Sequence, residues 1–281
     1  MILYKYLPPA RIDCIQNCLI RFTQYGDFND PFELNPNIDK PAEENEIREL
    51  VGRDFVKLVE EQYSKNPLIS AFISKEAFIN LALTQEESVK NVVVGIEPYV
   101  VRLLPGILQK TANSLLGALS LSEICDHELM WSHYAEEHKG YVMGFDSSHP
   151  FFNQKKSSVD ELRHLRKIDY RDKPPVINLM NTNGSELFFV KSSKWKYEVE
   201  WRMLLPLSDS AELVDKNPYP IHLFKFPAKA VERIILGAKI SDENKRIIKS
   251  LMGDRKFSHV ELCQARLDSS SYGIVIGNET G

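Results

Sequence analysis

The run from Lys191 to Pro206, Lys-Ser-Ser-Lys-Trp-Lys-Tyr-Glu-Val-Glu-Trp-Arg-Met-Leu-Leu-Pro, constrains the fold of this chain more than any other stretch. From Glu198 to Leu205 it reads as a β-strand, with Pro206 as its boundary. Side chains on a strand alternate between faces, so Val199, Trp201 and Met203 are expected on one side and Glu198, Glu200 and Arg202 on the other. Two carboxylates and a guanidinium then share a face beside tryptophans. That pattern suits a site for a polar ligand or a developing cation. The plainer alternative is an edge strand protected by its charges.

The 281-residue length suffices for one large domain or two small ones. Hydrophobic residues make up 43% and charged residues 26%, the composition of an ordinary globular protein. A net charge of −4 lacks the basic excess of a typical nucleic-acid binder. Local basic clusters (Lys191, Lys194, Lys196 and Arg202; Arg163, His164, Arg166 and Lys167) leave a nucleic-acid contact open. Cys14, Cys18, Cys125 and Cys263 lack the paired spacing of a structural zinc site and are expected as free thiols. No apolar run approaches the ~20 residues of a membrane helix, and the N-terminus has no signal-peptide pattern. The expectation is a cytoplasmic protein without a membrane segment or metal.

Ile2–Tyr6 and Leu19–Thr23 read as strands around a short helix at 10–19, followed by a turn-rich loop at 26–33. Apolar spacing turns helical from about 42 to 113, a helical layer inserted into one domain. Strand patterns then resume at 116–122, 140–145, 165–170, 221–226, 231–236, 260–266 and 272–276. Helices are expected at 128–138 and 242–252, the latter capped by Ser241. Strands interrupted by unequal helical blocks predict an α+β fold, with a mixed, mostly antiparallel sheet, in a single domain spanning 1–281. There is no Gly-rich dinucleotide fingerprint, phosphate loop or Gly-x-Ser-x-Gly elbow.

Four blocks stand out: Leu3-Tyr4-Lys5-Tyr6; Asp27-Phe28-Asn29-Asp30-Pro31-Phe32; Leu119-Ser120-Leu121-Ser122-Glu123, with Met130-Trp131-Ser132-His133-Tyr134 and Gly140 after it; and Tyr197-Glu198-Val199-Glu200-Trp201-Arg202. In this order they resemble the bacterial family catalogued as domain of unknown function 2971, over about residues 3–236. Leu121 departs from that pattern, where a phenylalanine is usual. The block order is also similar to the ADP-ribosyltransferase plan, which places an aromatic residue on the first strand, a serine strand mid-chain and a Glu-x-Glu strand later.

This second resemblance implies an NAD-using transferase or glycohydrolase, acting on an unknown acceptor in stress or phage defence. Its residues here would be Glu200 and Glu198 with Ser122 in catalysis, and Tyr4, Tyr6, Ser120, His133, Tyr134 and Arg202 around the cofactor. Nicotinamide leaves as a neutral molecule from a cationic ring, so no general acid is needed. A carboxylate such as Glu200 opposes the oxocarbenium-like charge, and Glu198 orients or deprotonates the acceptor. Arg202 or a nearby lysine would meet the pyrophosphate. Two other readings remain: an interaction module that recognises a partner through its charged strand, and a metal-dependent nucleotide hydrolase. Trp131 and Met130 read as core, and His133 as a histidine satisfied by the backbone.

Overall fold

The architecture, seen in a computed structural model, is described for residues 1–34, 37–40, 42–67, 72–178 and 184–279. These group into two compact units, one of residues 1–35, 109–174 and 185–281, the other of 36–108 and 175–184. The candidate residues of the sequence all fall in the first unit.

The main sheet uses strands β1 (Ile2–Leu7), β3 (Leu116–Ser122), β4 (Tyr141–Asp146), β5 (Arg166–Lys167), β6 (Glu200–Pro206), β9 (Val231–Leu236), β10 (Glu261–Asp268) and β11 (Gly273–Asn278). A second sheet joins β2 (Leu19–Phe22), β7 (Glu212–Val214) and β8 (Ile221–Lys225). The eight-stranded order is β11-β10-β9-β4-β1-β3-β6-β5. The β9–β10 pair is parallel and every other neighbour in that sheet is antiparallel, so the fold is α+β.

Alternation along the strands gives the sheet two apolar faces. Leu3, Leu7, Leu119, Leu121, Met203 and Leu205 pack on one side with Ile20 and Phe22 of β2. Ile15 of helix α1 (Asp13–Asn17) joins this cluster, as does Ile248 of the C-terminal helix Asp242–Met252, whose N-terminus the Ser241 hydroxyl caps at 3.2 Å. Tyr4, Tyr6, Val142 and Ile235 pack on the other side with Met130 and Trp131 of helix Glu128–Tyr134. Trp131 is fully buried, and its indole N–H donates to the Cys125 carbonyl at 2.8 Å. The core role read for it from its spacing is the one it has.

That helix stops at Tyr134, four residues short of the sequence expectation. Glu136, Glu137 and His138 take left-handed φ of 47°, 54° and 71°, a conformation that costs L-residues energy. The chain needs the reversal to enter β4. Gly140 makes it possible: a Cβ there would lie 2.1 Å from the Leu7 carbonyl oxygen. Gly140→Ala must therefore push backbone apart, and a loss of about 1–3 kcal/mol is expected in denaturant unfolding. An unchanged unfolding midpoint would contradict this close approach.

In the second unit, helix Glu44–Lys65 packs against helices Lys75–Leu83 and Glu86–Gly95. It starts with a reciprocal capping box between Glu43 and Glu46. Helix Glu97–Leu115 follows. Among the described residues no single helix is long and apolar enough to cross a membrane.

Candidate functional site

Strands β1 and β3 pair in register at one position, Tyr4 opposite Ser122, and β3 continues that row to Glu200 of β6. Tyr4, Ser122 and Glu200 thus stand in line across three adjacent strands. Two residues along, Ser120 lies opposite Arg202. Beside this row, where β1 and β3 part, a cavity of about 240 Å³ opens. Its wall takes Tyr4, Lys5 and Tyr6 from β1, Ser120 and Ser122 from β3, and Glu200 and Arg202 from β6. Arg21 and Thr23 come from β2 and its end, Asp27 to Asp30 and Glu33 from the turn-rich loop, and Lys191, Trp195 and Glu198 from the segment before β6.

The strand expected from Glu198 begins at Glu200. Residues 193–198 form a 3₁₀ helix, and Val199 turns left-handed with φ 44°. Glu198 reaches the cavity from the helix end and not from the strand face. The strand is also no edge. It lies between β3 and β5 and is largely buried, which removes the reading of its charges as a guard against aggregation.

Those charges form a buried network. Lys191 Nζ contacts Glu198 at 2.5 Å, Glu200 at 3.1 Å and Glu33 at 3.2 Å. Arg202 lies 2.7 Å from Glu33 and 2.8 Å from Glu200, and donates to the Phe188 carbonyl at 2.9 Å. Phe28 covers the guanidinium with its ring centre at 5.0 Å, and the Trp195 ring lies 5.0 Å from the Lys191 ammonium. Arg202 is 1% exposed and Glu200 3%. Charges this buried persist only where each has partners.

The two carboxyls of the Glu-x-Glu pair are driven apart. Burial pushes Glu200 up, but Arg202 and Lys191, with a hydrogen bond from Ser120, outweigh it and hold the group down at about 2. Burial dominates at Glu198 and raises it, against Lys191 and a 2.5 Å bond from the Tyr134 hydroxyl. One group is thus a fixed anion and the other is closer to a proton acceptor. Burial also lifts the Tyr4 hydroxyl to about 12 and the Tyr134 hydroxyl further. Burial pushes the Lys5 ammonium the other way, down to about 8, with Glu200 opposing and Arg21 adding to the fall.

Of the residues singled out in the sequence, Tyr4, Tyr6, Ser120, Ser122, Tyr134, Glu198, Glu200 and Arg202 all line this cavity. His133 does not: it sits on the exposed side of its helix, one residue from Tyr134, which turns inward. Ser122 is placed structurally, donating to the Glu198 carbonyl at 2.6 Å and accepting from the Ile124 N–H at 3.1 Å. Tyr6 donates to the Ile124 carbonyl at 3.0 Å. Lys191 and Arg202, read as part of a basic cluster, are consumed by carboxylates inside the protein. Glu33 and Arg21 carry no site expectation from the sequence. The one signal for Glu33 is a carboxylate amid the apolar Phe32 and Leu34 of an otherwise turn-like loop. Among the described residues no group of three or more His, Cys, Asp and Glu is arranged to hold a metal ion.

Residues 130–203 match the family model described as Protein of unknown function (DUF2971). The match begins at Met130 of the Met-Trp-x-His-Tyr helix and ends within β6, so it takes in Tyr134, Lys191, Glu198, Glu200 and Arg202. The resemblance read from the motif blocks holds over that stretch. No curated protein and no solved structure matches the chain.

Proposed function

We propose that this cavity binds a nicotinamide dinucleotide and that the protein is a cytosolic NAD-consuming enzyme, an ADP-ribosyltransferase or NAD glycohydrolase. The observation that carries the reading is the row Tyr4–Ser122–Glu200 across three neighbouring strands, at the edge of a cavity cut into the sheet. A tyrosine face suits a planar ring. A carboxylate held ionised suits the cation left when the nicotinamide–ribose bond breaks. Glu200 is that anion. Glu198, with its raised carboxyl, accepts a proton from the water or acceptor hydroxyl that attacks the sugar. No proton needs to be delivered to nicotinamide, which leaves as a neutral molecule.

The test is direct. Millimolar NAD should raise the melting temperature by mass action, and nicotinamide should appear in the supernatant over time. No shift and no nicotinamide with NAD, alongside a clear shift with another nucleotide, would remove this reading.

A further inference from the structure

Arg202, to which the sequence assigned the ligand phosphates, is neutralised within the protein by its ion pairs with Glu33 and Glu200 and donates to the Phe188 carbonyl. Lys191 is equally committed to three carboxylates. Two other cations line the cavity, on neighbouring walls. Lys5 Nζ donates once, to the Ser120 carbonyl at 3.0 Å, and among the described residues no carboxylate lies within ion-pair distance of it. Arg21 pairs with Asp27 through one terminal nitrogen, while its buried Nε–H has no partner. An ammonium with two spare donors and a guanidinium that spends one of its five N–H donors on Asp27 therefore line the same cavity.

We propose that Lys5 and Arg21 form an anion subsite that takes phosphate-type oxygens of the ligand. Neighbouring like charges in a partly desolvated cavity repel, and an anion between them replaces that repulsion with charge-assisted hydrogen bonds. Burial depresses the Lys5 ammonium and the nearby Arg21 adds to the fall, a cost that a bound anion would offset. The groups facing Lys5 are Glu200 and Glu198 from around β6, Cys14 from α1 and Arg21 from β2. Anion binding favours the protonated lysine, so affinity should fall as pH rises through about 8. The subsite rests on the reading of this cavity as a ligand site, and its anion has two sources: the pyrophosphate bridge of a dinucleotide, or a free phosphate compound.

The experiment is calorimetric titration of the full chain with inorganic pyrophosphate, ADP-ribose and NAD. Lys5→Met keeps length and loses charge, and is expected to weaken binding by about ten- to a hundredfold. Lys5→Arg should restore most of it. Arg21→Lys keeps the charge near Asp27 but lacks the Nε–H, and provides the second reading should Lys5→Met fail to fold. Pyrophosphate affinity unchanged in a folded Lys5→Met, or in Arg21→Lys where Lys5→Met does not fold, overturns the subsite, as does failure of all three probes to bind the parent protein. Lys5-dependent binding of pyrophosphate without NAD binding upholds the subsite and sinks the dinucleotide reading. NAD turnover with a KM indifferent to both substitutions does the reverse.

Discussion

Lys191→Met is expected to destabilise the protein by about 3–5 kcal/mol, the scale of removing one partner from a buried ion pair. At roughly 2–4 °C per kcal/mol for a chain of this size, the melting temperature should fall by about 6–20 °C. The cause is specific. Among the described residues, Lys191 is the cation shared by Glu33, Glu198 and Glu200. Without it Arg202 is left to balance Glu33 and Glu200, and Glu198 keeps the Tyr134 hydroxyl but loses its cation. Methionine fills similar space, so the loss should be electrostatic, and pH can separate charge from packing. Burial raises Glu33 and Glu198 in the folded state, and loss of the lysine raises them further. A carboxyl with a raised folded pKa binds more protons folded than unfolded, so stability falls as pH rises through that window. The deficit of Lys191→Met should therefore shrink as pH is lowered toward the ordinary carboxylate range. A deficit independent of pH would mean lost packing.

The strands and their faces were legible because they depend on local alternation. Tyr4 with Tyr6, Ser120 with Ser122, and Glu200 with Arg202 each lie on one face, as period-two spacing requires. Glu198 was misplaced because the left-handed Val199 breaks that period, and valine carries no sequence signal for such a turn. The helix over 128–138 was overextended for a related reason: no glycine marks the left-handed run from Glu136 to His138. Salt bridges such as Arg202–Glu33 join residues far apart in the chain, and no spacing rule reaches across that separation. The cavity has the same origin. Its wall is drawn from β1, the 26–33 loop, β3 and the segment leading into β6, pieces that the whole helical block separates in the chain. Burial of the charges followed from these contacts. An exposed polar face was the natural expectation for Glu-x-Glu-x-Arg, and what covers it are Phe28 and Glu33 of the turn-rich loop with Lys191 and the Phe188 carbonyl from the segment before β6.

That burial alters what substitution of Glu200 should do. Glu200→Gln is expected to reduce nicotinamide release by about 10²–10³-fold, the scale of losing one preorganised charged group. On an exposed strand the change would leave folding alone. Here it also takes from the buried Arg202 and Lys191 the carboxylate they share, so the melting temperature should fall too. Its contribution follows from linkage. Glu200 titrates at about 2 when folded, below an ordinary glutamate, so it stabilises the protein above the ordinary range and that stabilisation disappears as pH falls toward 2. The stability deficit of Glu200→Gln should accordingly be full at pH 7 and small near pH 2–3. Activity and stability losses can be separated by the double variant Glu200→Gln/Arg202→Met, which removes a cation together with the anion and so keeps the parent network's net charge. Replacing a whole buried pair by uncharged groups of similar size is often neutral for stability. The double variant should then recover much of the melting temperature yet remain inactive, because no anion faces the developing sugar cation. Recovery of nicotinamide release together with the melting temperature would assign Glu200 a purely structural role. Full activity in the single variant would exclude it from the chemistry altogether.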